Sequence, residues 1–317
     1  MARPADEGQG LSLNLVADQS RVIAPPAGSR FNVLGNLARS LVRNRKAMAG
    51  AAILVFFALV AVLAPIIAPY PPQEDLFQQI LPPSREHLLG TTGNGQDIFS
   101  QLVWGTRETL VIAIVAGAAA VAIAVLIGVS AAYLGGLWDH ALNLFTDVFL
   151  VIPTLPLMIV IAAYARNRSV AVIVAAVVIT SWSYSARQIR SQALALRSRE
   201  FLEAARVRGE RAIYIILAEI MPNLTSLIVA SFLSDAVYAV LAAAGLQFIG
   251  LGDPNDLSWG TMLFWAKNNG AILAGSPLWA IVPGLCIALL GGAFALLNYA
   301  FDEIGNPALR PVRRRRG

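Results

Sequence analysis

The sequence predicts an all-α integral membrane protein with six transmembrane helices and both termini in the cytoplasm. The first observation is compositional. Of 317 residues, 57% are hydrophobic and 14% charged, with a mean hydropathy of +0.64, against about 25% charged residues in an ordinary soluble protein. Such a chain is too apolar to be disordered and a poor fit to a soluble domain of this length. The second is the spacing of the charges. No Asp, Glu, Lys or Arg lies between Lys46 and Glu74, Glu108 and Asp139, Asp147 and Arg166, Arg168 and Arg187, or Lys267 and Asp302. Each gap approaches or exceeds the about 20 residues that cross hydrocarbon as a helix. The third is charge asymmetry: 19 of the 24 basic residues fall in segments that six spans place on one side, which positive-inside topology makes the cytoplasmic side.

Taken in order, residues 1–30 hold Pro, Gly, Asp and Gln but no apolar core segment, and are expected to be a disordered cytoplasmic tail rather than a cleaved signal peptide. Residues 31–46 form a basic pre-membrane segment. The spans are expected at 47–67, 110–134, 144–163, 170–182, 224–249 and 279–299, as helices because the runs are too long and too uniformly apolar for barrel strands. Residues 68–109 form an external loop or cap, 185–222 a long cytoplasmic loop, 250–278 a second external loop and 300–317 a basic cytoplasmic tail. The closing Arg313–Arg316 run reads as an anchor beside anionic lipid headgroups, with the lipid bilayer and no nucleic acid as its partner.

Several chemistries are poorly supported. No Gly-x-x-x-x-Gly-Lys-Ser/Thr phosphate cradle occurs, the two histidines, His87 and His140, lie far apart, and the one cysteine, Cys286, reads as a small packing residue. No catalytic residue and no metal site is expected. Intramembrane acids are sparse, with Asp235 the one placed deep in a span, whereas carriers driven by ion gradients place several along the path. The chain reads as a conduit without its own energy source. Asp235 has two readings: a position on the translocation path, where it could meet a cationic or amino group, or a polar contact with a partner subunit.

The cytoplasmic loop contains Glu200-Phe-Leu-Glu-Ala-Ala-Arg-Val-Arg-Gly209. Glu200 and Glu203 sit toward the start of a short helix and Arg206 and Arg208 toward its end, which suits the macrodipole. Arg199–Glu203 and Glu203–Arg206 add pairs one turn apart. Gly209 can end the helix in a left-handed conformation, while Ala204 and Ala205 keep one face small for another protein's approach. A second helix over 212–220 is expected to stop at Pro222. Glu203-Ala204-Ala205, three residues, Gly209, then Pro222-Asn223 resembles the EAA signature of prokaryotic ABC importer permeases. The resemblance implies the ABC type I importer permease fold, with Glu203, Ala204, Ala205 and Gly209 as the element docking on a cytoplasmic ATPase and Arg206 and Arg208 as flanking contacts.

A second set of motifs narrows the family. His87-Leu-Leu-Gly90-Thr-Thr-Gly-Asn-Gly95-Gln-Asp97-Ile-Phe-Ser100, then Gly105-Thr-Arg107, resembles the external stretch of the dipeptide/oligopeptide/nickel permease family in its "C" subunit. Gly245–Gly252, Ser258-Trp-Gly-Thr-Met-Leu263 and Asp302-Glu303…Asn306-Pro307 fit the same pattern. His87 is expected to bond or pack within an ordered cap in preference to ligating a metal or acting as a base. Gly90, Gly93 and Gly95 read as turn formers, and Asp97 and Arg107 as contacts to a partner. The resemblance implies a second, unlike permease subunit, two cytoplasmic ABC ATPase subunits that bind the ATP and Mg, and an extracytoplasmic substrate-binding protein. This chain would hold no cofactor and catalyse no bond chemistry. Di- and oligopeptides lead as solute, with oligosaccharide, nickel and opine open within the family; a secondary carrier or channel acting alone is the reading from another class.

Overall fold

The computed structural model describes residues 44–305, and only the backbone of 302–305. The expected N-terminal tail, most of the pre-membrane segment and the expected basic tail from residue 306 onward lie outside the described residues; residues 300–305 of that expected tail continue the last helix. The rest is nearly all helical. Five helices are long and apolar enough to cross a membrane, and a bent helix pair makes a sixth span if counted as one.

Helix α1 (Arg45–Val62) starts where Asn44 accepts the Lys46 N–H, and a short α2 (Ala64–Ile67) follows it. Helix α3 (Ile98–Leu134, 37 residues) begins well before residue 110. At 1.5 Å per residue it is about 55 Å long, more than the roughly 30 Å of hydrocarbon, so its first turns belong to the cap. Charge marks where apolar surroundings end; it does not mark where a helix ends.

The third expected span, 144–163, is instead two helices, α4 (Gly136–Val151) and α5 (Thr154–Tyr164), bent by 87°. Pro153 explains the break: it lacks an N–H, and it holds Ile152 in an extended conformation at ψ 128°. Arg190 of α6 (Val170–Arg197) grips Asp139 through two bonds of 2.6 and 2.7 Å, Arg187 pairs with Asp147, and Phe145 and Phe149 pack on Trp182. These bonds tie α4 along α6. Helix α6 therefore runs far beyond residue 182, and Arg187, Arg190 and Arg197, expected in a loop from 185, belong to its last turns.

After α7 (Glu200–Val207), α8 (Ala212–Tyr214) passes through a π-helical turn (Ile215–Ile220) into α9 (Met221–Phe248). The expected stop at Pro222 does not occur. Pro222 has no N–H to give, and the turn before it widens so that Met221 N–H reaches Ile216 O, which lets the helix continue. Helix α10 (Trp259–Asn268) lies in the segment expected as the second external loop, and α11 (Leu278–Gly305) closes the bundle.

Helix α3 is the central post. A Cβ on Gly117 would stand 3.1 Å from Ala236 N on α9, and one on Gly128 2.7 Å from Ala186 O on α6. Small residues there let the backbones come together without a bulky side chain between them.

Candidate functional site

The cap is built around Asp97. As the N-cap of α3 its Oδ2 accepts from Ser100 N–H (2.8 Å) and Ser100 Oγ (2.7 Å), while Oδ1 lies 3.0 Å from His87 Nδ1. His87 packs on Phe77 and Tyr70. Both His87 and Asp97 are buried, so neither is placed to touch a partner; they hold the cap together. Arg107 is half-buried, giving its Nε proton to Ala61 O near the end of α1 and lying over the Trp104 ring. Gly90 and Gly95 have φ of +83° and +81°, the left-handed region that favours glycine. Gly93 does not share that geometry; it leaves room for the Asn269 side chain, 2.8 Å from where a Cβ would be.

The Ser258–Leu263 motif is a fastener. Ser258 and Thr261 form a reciprocal capping box on α10, and Ser258 Oγ donates to Gln247 Oε1, whose Nε2 reaches Glu108 Oε1. The fully buried Trp259 gives its indole proton to Leu102 O. This network joins α3, α9 and α10. Beside it, a cavity of about 430 Å³ is lined by Gln73, Asp75, Gln96, Asn255 and Asp256 among others. Burial, with Asp253 adding its charge, raises the Asp256 carboxyl above the usual range.

At the opposite end of α3, α7 lies against the bundle through Leu202 and Ala205, both buried with Ile215, Ile220 and Ala193. Ala205 is thus an inward packing residue and does not belong to the small outward face expected of it. Glu203, Ala204 and Arg208 are exposed. Among the described residues Glu203 makes no ion pair; the pair here is Arg208 Nε–Glu210 Oε1 at 3.7 Å. The expected Arg199–Glu203 and Glu203–Arg206 pairs do not form. Arg206 instead lies over the Tyr133 ring and reaches Arg197 O.

Helix α7 ends at Gly209 (φ +76°), whose N–H bonds Arg206 O while Glu210 N–H bonds Ala205 O, a left-handed Schellman close. Nothing lies within 4 Å of an added Cβ, so only the backbone conformation demands glycine. Gly209→Ala is expected to weaken this close by about 1–2 kcal/mol, seen as faster amide exchange at 209 and 210; Gly209→Asn, which tolerates the conformation, loses less. Around this close Val207, Ile213, Tyr214 and Leu217 are exposed, an apolar rim on a charged helix.

The third feature lies in the bundle. Asp235 on α9 is 93% buried, and both its carboxylate oxygens are 3.1 Å from Ser185 Oγ on α6. It lines a cavity of about 260 Å³ at the α4–α5 break, together with Thr154, Thr180, Ser181, Ser234 and Tyr238 among others. The Ser181 and Tyr238 hydroxyl oxygens are buried without a hydrogen-bond partner, and no basic residue lines the space.

Residues 124–310 match the family described as binding-protein-dependent transport system inner membrane component. The chain belongs to that family. Residues 34–83 also match the N-terminal TM domain of oligopeptide transport permease C. The oligopeptide transport system permease protein OppC of Mycobacterium bovis is 29% identical, over 87% of this chain and 95% of its own length. The dipeptide transport system permease protein DppC of Bacillus subtilis is 30% identical, over 86% and 85%. This permease is accordingly a multi-pass protein of the prokaryotic inner membrane in an ABC importer family.

Sequence reasoning found Asp235 but not its setting. Thr180-Ser181-Trp182-Ser183-Tyr184-Ser185 was a visible signal, a polar run where a span was expected to end. Because α6 continues, Ser181 and Ser185 of that run, one turn apart, share a face toward α9, where Asp235 and Tyr238 are three residues apart and share a face.

Proposed function

We propose that this chain is the C-type permease subunit of an ATP-driven importer for di- and oligopeptides. It works with a second, unlike permease subunit, two cytoplasmic ABC ATPase subunits and an extracytoplasmic substrate-binding protein. ATP and Mg belong to the ATPases, and this chain performs no bond chemistry of its own. The observation that carries the reading is α7. It is a short helix seated on its own bundle by Leu202 and Ala205, which leaves Glu203, Ala204 and Arg208 outward beside an apolar rim.

Such a helix can pass motion in both directions. Leu202 and Ala205 pack with Ile215, Ile220 and Leu224, and the chain continues from α8 into α9 without a stop. A displacement of α7 by closing ATPases therefore bears directly on the helix that carries Asp235. ATP binding favours one arrangement of the spans and ATP release the other, and the difference in binding free energy between the two states moves the equilibrium. The peptide solute is favoured by the relatives' names, and the cavity at Asp235, an apolar space holding one carboxylate and several hydroxyls, is compatible with a zwitterionic solute.

The test is uptake by the whole complex in proteoliposomes, with labelled tripeptides and a labelled oligosaccharide offered at equal concentration. ATP-dependent peptide uptake is expected to exceed oligosaccharide uptake by about tenfold or more. Oligosaccharide uptake without peptide uptake would replace the solute and keep the permease; uptake of both without ATP would remove the coupling role.

A further inference from the structure

We infer that the cavity at the α4–α5 break is a subsite for an ammonium group of the solute, its α-amino end, with Asp235 as the counter-charge and the Ser181 and Tyr238 hydroxyls as partners for the adjoining amide. This rests on the peptide reading of the permease.

Three observations converge. A carboxylate has room for about four hydrogen bonds, yet Asp235 receives one hydroxyl proton, that of Ser185, shared between its oxygens. The lining holds no basic side chain, and a buried acid in a membrane span ordinarily meets a partner or a water-filled path. Two further polar atoms of the same lining, Ser181 Oγ and Tyr238 Oη, are buried and unpaired, and groups of that kind call for an explanation. A cationic donor satisfies the carboxylate, and an amide carbonyl beside it satisfies the hydroxyls. That combination is the amino end of a peptide, where the first carbonyl lies one carbon from the ammonium. A lysine side chain supplies the same ammonium but surrounds it with methylenes.

The size agrees. Pockets for whole drug-sized ligands run about 300–1,000 Å³, and this one, about 260 Å³, suits the end of a longer solute. Its place agrees as well. Thr154 begins α5 immediately after the bend, and Phe149 and Leu150 of the lining immediately precede it, so the subsite is walled by the one element whose two halves diverge by 87°.

The experiment uses the complete complex in proteoliposomes with three labelled solutes: tri-alanine, N-acetyl-tri-alanine and N-acetyl-dialanyl-lysine. The affinity of the binding protein for each is measured alongside, so that delivery is accounted for. Asp235→Asn is expected to lower tri-alanine uptake by at least about thirtyfold, with normal assembly and normal ATPase stimulation by the binding protein. The N-acetylated tri-alanine rate is expected to fall far less, so that the ratio of the two uptakes collapses; an equal fall for both solutes overturns the ammonium subsite. An equal loss for N-acetyl-dialanyl-lysine would assign the subsite to side-chain ammonium groups instead of the α-amino end.

Unchanged tri-alanine uptake in Asp235→Asn overturns the subsite and leaves the importer standing. Absence of tri-alanine uptake by the unaltered complex overturns the peptide reading and the subsite with it. Where Asp235→Asn fails to assemble, the Ser181→Ala/Tyr238→Phe pair, which removes two hydroxyls and keeps the ring, carries the test. Uptake unchanged in that pair overturns the subsite, and a loss of about tenfold supports it.

Discussion

Glu203→Arg is expected to abolish ATP-dependent uptake by the assembled complex while the permease remains in the membrane at its usual level. The separation of the two effects comes from the geometry of α7. Leu202 and Ala205, which seat the helix, are untouched, and Glu203 is exposed and makes no ion pair among the described residues. Within the chain the substitution forfeits only the favourable placement of an acid in the first helical turn, a small effect at an exposed site. Across a docked interface the same reversal opposes a complementary charge. Losses at such pairs run about 2–5 kcal/mol, or at least about thirtyfold in binding. Uptake and binding-protein-stimulated ATP hydrolysis in proteoliposomes, with permease abundance measured in the same membranes, check the prediction. Normal uptake would remove Glu203 from the coupling role, and a fall in abundance would make it a folding residue.

Asp97→Ala is expected to loosen the cap over residues 70–97 by about 1.5–5 kcal/mol. The N-cap bonds to Ser100 account for about 0.5–2 kcal/mol, and leaving a buried partner such as His87 Nδ1 unsatisfied costs about 1–3 kcal/mol. The effect should be local, because Tyr70, Phe77 and His87 form one aromatic cluster above the start of α3. Limited proteolysis and amide exchange over residues 70–97 report it directly. Asp97→Asn, which keeps a good capping side chain, should retain most of the protection. Lost binding-protein docking in Asp97→Ala with a fully protected cap would return Asp97 to the role of a partner contact, the expectation its burial argues against.

These two residues show what could and could not be read along the chain. Both were singled out by motif. Glu203 is exposed on α7, and the same short helix carried the clue that Ala205 is not: Leu202 and Ala205 are three apart and share a face, so whatever buries leucine buries that alanine. Asp97 precedes an apolar helical run and stands three residues before Ser100, a capping pattern visible locally. That it also holds His87 is a contact across ten residues of irregular chain, which no periodicity encodes.

The helix limits divide in the same way. The end of α3 at Leu134 follows from Gly135, with φ +68°. The start at Ile98 was obscured because Arg107 and Glu108 looked like a loop. The Arg187–Asp147 and Arg190–Asp139 pairs likewise let α6 carry charges past its apolar portion.

By itself the sequence determined the membrane class, the order of the apolar segments, the scarcity of titratable groups within them and the motifs of the family. These are properties of composition and local spacing, and hydrocarbon leaves a helix little choice because every backbone polar group must be satisfied internally. The tertiary structure alone decided which side chains meet. It turned Asp97 and His87 inward, held Arg107 against the end of α1, seated Ala205, bent the third span at Pro153 and brought Ser181 and Ser185 of one helix to Asp235 and Tyr238 of another. Such meetings depend on how far a helix runs past its charges and on how closely small residues such as Gly117 and Gly128 let neighbouring backbones approach, and both are settled by packing between segments distant in the chain.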